Sequence, residues 1–147
     1  MHDMEKMIIY ESKVDSSFQS VHDTVDEIMQ HFSTNFNTMG TKTLFKINFL
    51  LRELLNNAVE HGNQFHPDKQ VVCRILREND FIILEVIDEG LGIESDLNNL
   101  DYDVDTEDII LRERNRGLQL LKEMSHTINI SGNQIKVHLA LNEEDSL

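Results

Sequence analysis

The chain has a single proline, a single cysteine and only 13 lysines and arginines to set against 27 acidic residues. Each shortage closes off a class of protein. One cysteine, Cys73, permits no internal disulfide, which fits a reducing compartment. The formal net charge of −14 argues against nucleic-acid binding, because phosphate backbones are held by clustered Lys and Arg. It leaves room for protein partners with basic patches, whose encounters an acidic surface would speed. No apolar run approaches membrane-spanning length. The start of the chain lacks the basic-then-apolar pattern of a secretion signal, so a cytoplasmic protein without membrane contact is expected. Internal repeats and low-complexity tracts are also missing. A length of 147 residues with 39% apolar content suits one domain, spanning 1–147, with a real core.

What is present is periodic. "EKMIIYESKV" reads as a first strand carrying Met7, Ile9 and Tyr10. Ser16 and Gln19 have the spacing of a capping box ahead of a helix over 17–33, on which Phe18, Val21, Val25, Ile28, Met29 and Phe32 recur at helical spacing. After the polar break "STNFNTMG", a second helix is predicted from about Thr41 to His61. Leu44, Ile47, Leu51, Leu54, Leu55 and Ala58 face its core side, Gly62 is its stop, and Pro67 marks the turned chain. Two hairpins follow. "VVCRIL" and "FIILEVI" flank an Asn-Asp turn, and "TINIS" and "IKVHLAL" flank Gly132-Asn133. Between them lie an acidic loop, about 94–113, and a short helix, about Gly117 to Met124. The order β-α-α-β-β-α-β-β predicts a two-layer α/β (α+β) sandwich, with a mostly antiparallel sheet covered on one face by three helices. Met7, Met29 and Met124 read as core fillers.

Three places carry polar groups where packing alone does not ask for them. On the second helix, Glu53, Asn57 and His61 recur every four residues, which stacks them on one face. The strand "FIILEVI" runs into Asp88-Glu89-Gly90-Leu91-Gly92. A carboxylate at the end of a buried strand needs a donor, and Gly90 and Gly92 let a ligand lie against bare backbone. Adenine would suit, since its amino group donates to Asp88 where guanine presents an acceptor oxygen. Taken alone, the same five residues also read as an ordinary acidic turn. Arg116 and Gly117 open the last helix, where backbone N–H groups and a guanidinium favour anions; alone, this too reads as a plain loop-to-helix junction.

Taken together and in this order, the Glu-x-x-x-Asn helix, the Asp-x-Gly-x-Gly strand end and the Arg-Gly helix start resemble the GHKL (Bergerat-fold) ATPases. "NNAVEHGN" is similar to the Asn-Ala-x-x-His-Gly element of their anti-sigma-factor serine kinase branch, and the resemblance spans nearly the whole chain. It implies a histidine-kinase-like ATPase domain that binds ATP with Mg²⁺. Asn57 would be the metal ligand and Glu53 the base that accepts a proton from an attacking hydroxyl. His61, Asp88, Gly90, Gly92, Arg116, Gly117 and Leu118 would border the nucleotide. His61 reads equally as a helix-end residue capping carbonyls near Gly62. Sensor histidine kinases of the same superfamily usually carry Asn where this chain has Glu53. The carboxylate therefore favours a serine, a threonine or water as acceptor.

By the same resemblance the protein would phosphorylate a small anti-anti-sigma-type antagonist, hold a sigma factor or similar regulatory protein, and form a homodimer. A non-catalytic, ATP-dependent binding module of the same fold is the alternative. Two departures stand out: Gly117 lacks the neighbouring glycines common in the family, and the preceding segment is heavily acidic. Asp101, Asp103 and Asp105 imitate the start of a calcium loop, but Thr106 and Arg112 stand where that loop needs Gly and Glu. His22 and His31 are expected to be solvated or capping residues.

Overall fold

The computed structural model describes residues 6–36, 39–91, 124–125, 127–141 and 145. Among them the chain forms strand β1 (Met7–Asp15), helix α1 (Phe18–Asn35), helix α2 (Thr41–Asn57) with a closing turn over Ala58–Gly62, and strands β2 (Gln70–Glu78), β3 (Phe81–Ile87), β4 (Thr127–Ser131) and β5 (Gln134–Ala140). The five strands make one sheet in the order β1-β2-β3-β5-β4, and every pairing is antiparallel. The expected acidic loop and all but the end of the expected third helix lie outside the described residues. The α+β sandwich otherwise stands as the sequence predicts.

Apolar periodicity builds the layers. Val21, Val25, Ile28 and Phe32 of α1, with Ile47, Leu50, Leu51, Leu54 and Leu55 of α2, are buried against one sheet face. That face is supplied by Val14, Val71, Cys73, Ile75, Ile82, Leu84, Val86, Val137 and Leu139, alternate residues on their strands. At roughly 1.5–3 kcal/mol for each large apolar side chain taken out of water, this interface is the main stabilising term. On the opposite face the register lines up Glu11, Arg74, Glu85 and Lys136 across four strands. Arg74 donates to Glu11 (2.5 Å) and to the buried Glu85 (2.6 Å), and Lys136 lies 3.8 Å from Glu85. The buried carboxylate is thus paired on both sides, which offsets its desolvation.

Two local expectations need correction, and a third stands in a different form. The helix cap is Ser17, not Ser16: Ser17 Oγ accepts the Ser20 N–H at 3.1 Å, and Gln19 donates instead to Asp23. Ser16 is drawn away by distant partners, donating to the Lys69 carbonyl at 2.5 Å. Met7 is 49% exposed at the outer end of the edge strand β1; Met29 and Met124 do pack against the core. Gly62 is the last residue of the helical segment, as the sequence predicts, and left-handed backbone follows it. The left-handed residues are Gln64 (φ 51°) and Phe65 (φ 58°). That strain is held by the bonds from Phe65 N–H to Val59 O and from His66 N–H to Asn63 O, both 3.0 Å, and by the Phe65 ring standing edge-on against Phe18.

The start of α2 has a cap from far along the chain. Gly40 offers no side chain, and Asp145 takes its place. The carboxylate accepts the Gly40 N–H at 2.7 Å and the Thr43 hydroxyl at 2.7 Å. A negative charge there also opposes the positive end of the helix dipole.

Candidate functional site

The site lies where α2 runs out against the end of β3. Buried leucines on its inner side fix the rotation of α2, so Glu53 and Asn57, one α-helical turn apart, share a partly buried position beside the core stripe. Among the described residues neither side chain hydrogen-bonds or ion-pairs with another, and Asn57 makes no capping bond to the turn it precedes. A carboxylate and an amide are therefore held on a rigid element with their polar atoms uncommitted within the fold.

Beyond Asn57 the helix widens. Ala58–Gly62 form a π turn, closed by the bond from Asn63 N–H to Ala58 O at 2.8 Å. An i→i+5 turn takes up about one residue more than an α turn. The even stacking expected of Glu53, Asn57 and His61 therefore holds for the first pair and is broken at the third. His61 is partly buried, with its Nε2 3.9 Å from the Glu60 carboxylate; among the described residues that contact replaces the expected capping of helix-end carbonyls.

The π turn brings Gly62 against Asp88. A Cβ on Gly62 would fall on the Asp88 carboxylate, and one on Gly90 would fall on the Gly62 carbonyl, so both positions require glycine for close approach. Asp88 itself is fixed by its backbone. Its N–H donates to Asn133 O at 3.0 Å, and its carbonyl accepts from Asn133 Nδ2 at 2.5 Å. The carboxylate accepts the Gly90 N–H at 2.7 Å. Glu89 points the other way and accepts the Gln70 N–H at 2.6 Å. Bare glycine backbone, an oriented carboxylate, and an uncommitted Glu and Asn on the adjoining helix form a donor and acceptor set that fits a nucleotide with a hard divalent cation.

Of the residues singled out in the sequence, the structure brings together Asp88 and Gly90 with the end of the helix that carries Glu53, Asn57 and His61. Gly92, Arg116, Gly117 and Leu118, like Asp101, Asp103 and Asp105, lie outside the described residues. Sequence reasoning missed Asn63, Ser16 and Asn133, whose side chains hold the loop. Only the place of Asn63, directly after Gly62, hinted at it.

The histidine kinase-like ATPase domain family matches residues 18–141, most of the chain and every described part of this site. The chain belongs to that family, within the GHKL superfamily, and ATP binding, typically with Mg²⁺, comes with membership. Comparison with curated proteins gives no significant match. Among the described residues no helix is long and apolar enough to cross a membrane.

Proposed function

We propose that the chain is a single-domain, ATP-dependent protein kinase of the anti-sigma-factor type. It would transfer the terminal phosphoryl group of ATP to a serine or threonine of a small antagonist protein, and hold a sigma factor or similar regulator in the cytoplasm, acting as a homodimer. The observation that carries this is the pairing of an uncommitted carboxylate, Glu53, with an uncommitted amide, Asn57, on the helix whose end abuts Asp88. Asn57 would hold Mg²⁺ through its amide oxygen. Asp88 and Gly90 would receive adenine, with Gly92, His61, Arg116, Gly117 and Leu118 completing the nucleotide contacts. When bound, Mg²⁺-ATP supplies the phosphoryl group and a metal that neutralises its charge. Glu53 takes the proton given up by the acceptor hydroxyl, a task that an imidazole acceptor would not require. A second reading, a binding module set by ATP without transfer, is supported by the acidic stretch ahead of the lone Gly117.

Two measurements test the proposal. Calorimetry with Mg²⁺ should show ATP bound in preference to GTP. Asp88→Asn should weaken ATP about tenfold or more, the worth of a hydrogen bond to a charged group. Equal affinity for the two nucleotides would sink the adenine assignment. In transfer assays Glu53→Gln should keep ATP affinity and lose about 10²–10⁴-fold in rate. Transfer at the wild-type rate removes Glu53 as the base. A wild type that binds ATP and phosphorylates no candidate antagonist favours the second reading.

A further inference from the structure

The contact between Gly62, Asp88 and Gly90 is close. It sets a backbone carbonyl and a carboxylate, both acceptors, around the same glycine. Beside it, the side chain of Asn63 bonds across from the helix end to the Asp88 loop. We propose that Asn63 is the positioning residue of the nucleotide site, clamping the loop that carries Asp88 and Gly90 to the end of the helix that carries Glu53 and Asn57. The proposal rests on the nucleotide-site reading above.

The side chain of Asn63 is 1% exposed. Both ends of its carboxamide are engaged: Oδ1 accepts the Glu89 N–H at 2.7 Å, and Nδ2 donates to Ser16 Oγ at 3.0 Å. Because a backbone N–H can only donate, the Glu89 bond fixes which end of the amide is oxygen. Ser16 passes its own hydroxyl proton to the Lys69 carbonyl, so the donors and acceptors of the three groups balance. The backbone of the same residue closes the π turn through Ala58 O. One residue thus sets the width of the helix end with its main chain and the distance to the Asp88 loop with its side chain. A buried amide deprived of either partner is costly, which is what makes the clamp firm. Asn63 is buried, and both ends of its side chain are taken by protein partners. It acts through Glu89 and Gly90.

The experiment compares the 147-residue chain with its Asn63→Ala and Ser16→Ala variants. Three readings are taken: ATP affinity by calorimetry with Mg²⁺, the denaturant midpoint, and hydrogen exchange at the Glu89 and Gly90 amides. Both substitutions should lower the midpoint, since each unpairs a buried polar group. Only Asn63→Ala should weaken ATP, by about tenfold or more, and speed Glu89 exchange by about tenfold or more. Asn63→Asp, which keeps an acceptor for the Glu89 N–H, should stay within about threefold of wild-type affinity, and it carries the same test if Asn63→Ala does not fold. ATP affinity within about twofold of wild type in Asn63→Ala, or losses in Asn63→Ala and Ser16→Ala that simply track stability, would overturn the proposal. A tenfold loss in Asn63→Asp would do the same. If the wild type binds no ATP, the nucleotide-site reading fails, while the exchange rates at Glu89 still decide whether Asn63 clamps the loop.

Discussion

Replacing Gly62 with alanine sets two effects of known sign against each other. Gly62 lies in helical backbone, where alanine is ordinarily the better residue by about 0.5–1 kcal/mol. Here the added methyl would fall on the carboxylate of Asp88. Asp88 cannot retreat as a unit, because Asn133 holds both its N–H and its carbonyl. The side chain must rotate instead and give up the Gly90 N–H, a hydrogen bond to a charged group worth about 1.5–3 kcal/mol. The balance is a net loss of about 1–2 kcal/mol, which urea denaturation read by circular dichroism will resolve as a lower midpoint at unchanged slope. The displaced carboxylate also leaves the position proposed for the adenine amino group, so ATP affinity should fall by about tenfold or more in the same variant. A Gly62→Ala protein as stable as wild type, binding ATP equally well, would refute the idea that this glycine exists for Asp88.

Other outcomes follow from the same geometry. Asn57→Ala should impair ATP binding in the presence of Mg²⁺ and, with it, transfer; binding that survives unchanged while Mg²⁺ still enhances it would remove Asn57 as the ligand. Asp145→Ala should cost about 1–2 kcal/mol, by loss of the α2 cap, and lower Tm by about 3–6 °C in calorimetry, with no measurable change in Tm counting against the cap. Burial pushes the Cys73 thiol up to about 12 from an ordinary 9. The unfolded chain therefore releases this proton first as pH rises. The associated stability is complete below pH 9 and declines by about 1.4 kcal/mol per unit between 9 and 12. Comparing the alkaline unfolding of wild type with Cys73→Ala isolates that slope, and alkylation of Cys73 in the folded protein at pH 8 would contradict the burial behind it.

Wherever one local rule governed, the sequence was readable. The spacing of Val21, Val25, Ile28 and Phe32 and the alternation of Val137 and Leu139 identify buried faces because period and burial are the same fact. Asp88 was legible because a run as apolar as "FIILEVI" cannot end in a carboxylate without consequence. Failures came where distant residues compete for a local one. Ser16 and Ser17 are equally good caps on paper; Lys69 and Asn63, 53 and 47 residues away from Ser16, decide between them. The π turn leaves no periodic trace, since a single turn is shorter than the window in which a period can be seen. Without it His61 is expected on the face of Glu53 and Asn57, and Gly62 reads as a helix stop with no sign that it makes room for Asp88.

The cap on α2 also sets an order of events during synthesis. Asp145 lies 105 residues beyond Gly40. At ~5–20 residues per second, it leaves the ribosome roughly 5–20 s after the glycine it caps. Before that interval ends, α2, β2 and β3 join β1 and α1 outside the ribosome, and the local pairings among them can form. The Gly40 amide meanwhile has no carboxylate to receive it, and Thr43 lacks its partner. The helix that carries Glu53 and Asn57 is therefore synthesised, and its leucines are free to pack, before the cap at its beginning exists. A nascent chain halted short of residue 145 would present this helix with its positive end open to whatever anion or acidic side chain the surroundings supply.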